Sequence, residues 1–130
     1  MSDLRRARFA RLVRNALAEL PTEFRERIRN LEIVIEDEPS EDQVRGGSEG
    51  HGAVPSTLLG LYEGVPLTSR GYQEPYLPDR ICIFRRPIER MTSSPRRQAV
   101  IVRDTVVHEI AHHFGISDAR LEELGLGDAE

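Results

Sequence analysis

The sequence contains no lysine. All 18 of its basic residues are arginine, a bias that fits a GC-rich coding sequence rather than a functional signature. It has a single cysteine, Cys82, which excludes an internal disulfide and suits a reducing compartment. No apolar run approaches the roughly 20 residues that a membrane span requires. The charged N-terminus is not followed by an apolar segment of signal-peptide length. The expected location is therefore cytoplasmic, with no membrane partner. Positive charge is not in excess either: the net charge is −4, so the chain as a whole carries no electrostatic footprint for nucleic acid. Repeats and linkers are also missing, and 130 residues are expected to fold as one domain, 1–130, with a real core.

What is present reads as alternating patterns. Phe9, Leu12, Val13, Ala16, Leu17 and Leu20 recur at helical spacing and predict a helix over 3–20 with one apolar face. Its arginines at 5, 6, 8, 11 and 14 fall mostly elsewhere and read as a solvated surface. Pro21 ends that helix. Thr22 is expected to cap a second one, over about 22–30, that presents Phe24 and Ile28. Residues 31–36 alternate as a strand. The polar stretch 37–56, with four glycines, two prolines and His51, is expected to be a long loop. Strands are expected at 57–63 and 80–84, with a polar loop carrying Tyr72 and Tyr76 between them and a helical turn at 87–91. Cys82 sits among Ile81, Ile83 and Phe84 and reads as a small buried hydrophobe, not a nucleophile.

The informative stretch is His108-Glu109-Ile110-Ala111-His112-His113-Phe114-Gly115-Ile116-Ser117-Asp118. A helix from about 94 or 95 to 114 carries Val102, Val106, Ile110 and Phe114 on a face that would press on the sheet. On another face, His108 and His112 lie one turn apart and can point two imidazoles at one metal ion. Glu109 lies beside them, where a general base for an activated water belongs. Glycine at 115 marks a left-handed helix end. A chain turning back there can bring Asp118 up as a third, oxygen ligand, with Glu122 and Glu123 as alternatives if Asp118 instead caps the last helix, expected at 118–124. His113 points about 100° away from His112 and reads as packing or support rather than ligation. Asp104, one turn before His108, is a candidate to orient that ring.

The pattern H-E-x-x-H-x-x-G-x-x-D resembles the metzincin-type zincins in the variant with aspartate as third ligand. The flanking residues 119–125, the short chain, and a Leu-Glu-Ile-Val-Ile-Glu-Asp strand after two helices resemble the small bacterial minimal zincins. That resemblance implies a zinc-dependent metallopeptidase acting on a peptide or protein substrate, with Zn2+ on His108, His112 and Asp118 and with Glu109 as base. It also implies an edge strand for extended peptide, for which 57–62 is the candidate. The fold class expected is α+β: a small mixed β-sheet of three to four strands, N-terminal helices, an active-site helix and a short C-terminal helix.

Two departures weigh on proteolysis. Only twelve residues follow Asp118, and none is the methionine that metzincins place beneath the metal. A tyrosine to stabilise the oxyanion is missing from that region too, leaving Tyr62, Tyr72 or Tyr76. The ligand spacing also resembles the bacterial rRNA-maturation endoribonucleases, but Glu109, Asp118 and the acidity of the chain argue against that reading. A zinc-binding regulatory domain without catalysis is the third alternative.

Overall fold

The computed structural model describes residues 2–46, 58–64 and 79–126. In chain order the elements are α1 (Ser2–Ala18), α2 (Thr22–Ile28), β1 (Glu32–Glu36), α3 (Glu41–Gly46), β2 (Gly60–Glu63), β3 (Arg80–Phe84), α4 (Arg85–Met91), α5 (Pro95–Phe114) and α6 (Asp118–Glu123). This is the α+β arrangement expected, with a three-stranded mixed sheet in the order β1-β3-β2. β1 runs parallel to β3, pairing Ile33 with Ile81 and Ile35 with Ile83. β2 runs antiparallel to β3, pairing Gly60 with Ile83 and Tyr62 with Ile81.

β3 is central because its side chains suit both faces. Ile81, Cys82, Ile83 and Phe84 are all fully buried. Ile81 and Ile83, with Ile33, Ile35 and Tyr62, face the helices and join Phe9, Val13, Leu17, Phe24, Val102, Val106 and Ile110 in the main core. Cys82 and Phe84 face the other way and pack with Leu58, Leu61, Val34 and Val44 in a smaller cluster. Burying each large apolar side chain of this kind contributes roughly 1.5–3 kcal/mol before entropy is subtracted. Val102, Val106 and Ile110 of α5 are fully buried, but Phe114, expected on the same face, is 43% exposed and does not join the buried core. It lies edge-on to Tyr62 and His113 instead, with the Arg27 guanidinium 4.7 Å above its ring.

Two boundaries follow local chemistry that differs from expectation. α2 has Pro21, not Thr22, at its N-cap; the Thr22 hydroxyl accepts from Arg25 Nη2 at 3.1 Å. Within the stretch expected to be loop, α3 forms on a reciprocal cap. Gln43 N–H donates to Ser40 Oγ at 3.1 Å, and Ser40 N–H donates to Gln43 Oε1 at 2.8 Å, which satisfies two helix-end donors at once. The strand expected from 57 begins at Gly60. Thr57, His51, Tyr72 and Tyr76 lie outside the described residues.

A charge cluster ties α1, the end of β1 and α4 together. Arg85 is 4% exposed and donates to Asp37 Oδ1 at 3.0 Å and to Glu89 Oε1 at 2.9 Å. Arg6 donates to the second Asp37 oxygen at 2.7 Å. Arg6 first, and Arg85 after it, hold the Asp37 carboxyl down at about 2. Among the described residues, no helix is long and apolar enough to cross a membrane.

Candidate metal centre

α5 presents the motif because both of its ends are fixed. Ser94 caps the N-terminus by accepting from Arg97 N–H at 3.2 Å, with Pro95 as the first helical residue. The C-terminus stops at Gly115, whose φ of 71° lies in the left-handed region that glycine occupies without strain. Ile116 N–H returns to Ala111 O at 2.9 Å, closing the helix end and turning the chain towards α6.

α6 is held by its own contacts. Ser117 Oγ accepts from Arg120 N–H at 3.1 Å, Leu121 is buried, and Arg120 bridges to Glu23 of α2 at 2.8 Å. Ser117 is therefore the cap, and Asp118 is left in the first helical turn with its carboxylate exposed. Of the alternative third donors, Glu123 is paired with Arg120 at 2.9 Å, and Glu122 is exposed.

His108 and His112 are both exposed, one turn apart on α5. His108 Nδ1 lies 2.8 Å from the Asp104 backbone oxygen. A carbonyl can only accept, so the bond places the proton on Nδ1 and the lone pair on Nε2, the tautomer that a metal-binding imidazole needs. The bond is to the backbone of Asp104, which any residue there would supply; the Asp104 carboxylate is paired with Arg103 at 3.2 Å. This donor chemistry fits a zinc ion at the two histidines. Among the described residues, however, no group of three His, Cys, Asp or Glu side chains is gathered in metal-binding geometry. His108, His112 and Asp118 do not form such a group.

Glu109 is held by a contact that the motif does not announce. Its Oε1 accepts from the backbone N–H of Tyr62 at 2.8 Å. The pairing of Phe84 N–H with Leu59 O at 3.0 Å sets the alternation of the β2–β3 ladder. Gly60 and Tyr62 consequently turn their backbone groups away from β3, towards the side of β2 that carries no other strand among the described residues. α5 lies against this edge: a Cβ added at Gly60 would sit 2.5 Å from Thr105 Cγ2. Gly60 is the residue that permits the approach. Sequence reasoning missed Asp79, and it offered Tyr62 only as a candidate for the oxyanion, not for its backbone N–H. The Tyr62 hydroxyl donates to Asp79 Oδ2 at 2.7 Å, which points it at a carboxylate rather than at an oxyanion. The glycine inside a strand pattern was the available signal that another element comes close there.

His113 is engaged through the face of its ring. Its ring stacks on Tyr62 with centroids 3.7 Å apart and planes 18° apart. Cys82, as expected, is a buried hydrophobe. Burial, with the Glu63 and Glu36 carboxylates nearby, pushes its thiol up to about 12, so it is no nucleophile at neutral pH.

A search among curated proteins finds no match to this chain. Residues 28–127 match the sequence model of a family described as zincin-like metallopeptidase, a span that takes in β1 to α6 and the whole of the motif. The family is one of zinc-dependent peptidases, with peptide or protein substrates. On a match over most of its length, with the histidine pair and its glutamate carried on one helix, the chain belongs to the zincin-like metallopeptidase family.

Proposed function

We propose that the protein hydrolyses peptide bonds with Glu109 as general base, at a zinc ion held by His108, His112 and Asp118. The observation that carries this reading is the placement of Glu109. One carboxylate oxygen is fixed by the Tyr62 N–H at 2.8 Å, while His108 and His112, beside it on α5, are both exposed. Zinc in such a site supplies Lewis acidity, polarising the scissile carbonyl and acidifying an incoming water. With Oε1 engaged, Glu109 takes the water's proton on Oε2 and passes it to the leaving amine. The Asp104 carbonyl keeps the His108 lone pair on Nε2. The edge of β2 is where extended peptide would lie, although the Tyr62 N–H is closed to it while Glu109 holds that donor. The small size of the domain favours short or flexible peptides.

The test offers zinc-loaded protein unstructured peptides and single-stranded RNA in separate reactions, alongside Glu109→Gln. The expected outcome is peptide cleavage that falls about 10²–10⁴-fold in the variant while zinc stays bound. Cleavage of RNA alone would overturn the peptidase reading, and peptide cleavage undiminished in the variant would remove Glu109 as base.

A further inference from the structure

One face of α5 runs along β2 in step with it. Thr105 meets Gly60 and Glu109 meets Tyr62. Four residues of helix rise about 6 Å, and two residues of strand advance about 6.6 Å, so each helical turn finds the next residue of the same strand face. The next position on the α5 face is His113, and it returns to Tyr62 by stacking on the ring. Glu109 and His113, at i and i+4, thus grip one residue at two points, its backbone N–H and its aromatic face.

Tyr62 needs such a grip. It lies one residue from the end of a four-residue strand that is at the edge of the sheet among the described residues. Its hydroxyl is tied to Asp79, the residue immediately before β3. Ring and hydroxyl together fix the plane of the peptide that presents its N–H to Glu109.

We infer that His113 is a positioning residue: by stacking on Tyr62 it holds the edge amide in line with Glu109 Oε1, and so sets the aim of the base. The inference deepens the reading of Glu109 given above and rests on it for the catalytic consequence. It assigns His113 no role in binding zinc.

The experiment compares His113→Ala with His113→Phe, which keeps an aromatic face and removes both ring nitrogens. Three quantities are read: hydrogen exchange of the Tyr62 amide by NMR without zinc, zinc affinity, and kcat and KM on a peptide. In His113→Ala the Tyr62 amide is expected to exchange about tenfold faster, with zinc affinity within about twofold of wild type. Its kcat should fall about tenfold at unchanged KM, as for a misaimed catalytic group. His113→Phe is expected to restore both exchange protection and kcat.

Loss of zinc in either variant would overturn the inference by making His113 a ligand. So would unchanged Tyr62 protection in His113→Ala, or a phenylalanine variant as impaired as the alanine one. Tyr62→Leu, which removes the ring but keeps a strand-forming residue, supplies a second measurement. Protection of the amide at 62 should fall there too, and retained protection would sink the clamp. If Glu109→Gln proves fully active, the base reading fails while the amide data still decide the clamp, so the two failures are distinguishable.

Discussion

At the scale of single residues, the site is a set of side chains whose partners determine what remains available for chemistry. His108 spends Nδ1 on the Asp104 carbonyl, Glu109 spends Oε1 on the Tyr62 amide, and Asp118 is relieved of capping because Ser117 does it. His108→Ala or His112→Ala is therefore expected to reduce bound zinc from about one ion per chain to near zero, read by elemental analysis of dialysed protein. Retention of the ion by both variants would remove the pair as ligands. The histidine pair was legible in the sequence because i, i+4 spacing on a helix is geometry in itself. The Tyr62 amide was not, since a backbone donor carries no residue signature and its acceptor lies 47 positions away. Asp104 was legible as a neighbour of His108 by the same spacing, but nothing in the sequence says whether carbonyl or carboxylate makes the bond.

At the scale of elements, the approach of α5 to β2 is the sensitive joint. Gly60→Ala would drive a Cβ to 2.5 Å from Thr105 Cγ2 and 3.2 Å from Cys82 O. This overpacking is expected to cost about 1–3 kcal/mol, measured as a lowered urea midpoint. Adding Thr105→Ser removes the obstructing methyl and should recover part of the loss but not all, because the Cys82 carbonyl stays; strict additivity of the two changes would deny the contact. β3 was found at its true bounds because Ile-Cys-Ile-Phe is a short apolar run closed by charges. α3 was missed because its apolar content is the single Val44, and the Ser40-x-x-Gln43 box that starts it does not stand out within a polar stretch. β2 came out shorter than expected: Leu58 and Leu59 look strand-like, and Leu59 O still accepts from Phe84 N–H at 3.0 Å, but the strand itself begins at Gly60.

At the scale of the whole molecule, two conditions should move stability. Asp37 has an ordinary value of 3.8 and is held at about 2 when folded. Its contribution is therefore fully present above about pH 4 and is lost as pH falls through about 2. Asp37→Asn should destabilise by about 1–2 kcal/mol at pH 7, an amount discounted for the 30% exposure of the carboxylate. The gap between variant and wild type in chemical denaturation should close between pH 4 and 2; a gap independent of pH would mean that Arg6 and Arg85 do not hold the charge. Zinc acts in the other direction. An ion that binds only the folded chain at a hundred times its Kd raises stability by about 2.7 kcal/mol. Chelation should therefore lower Tm, and a Tm indifferent to chelator would speak against an occupied site.

Cys82 adds an internal gauge. It is the only thiol in the chain and is fully buried, with Gln43 Nε2 of α3 lying 3.6 Å from its sulfur. An alkylating reagent can reach it only when that short helix lifts or the sheet opens. The speed of labelling under native conditions thus counts those excursions directly, with no competing thiol to subtract and no engineered probe to introduce.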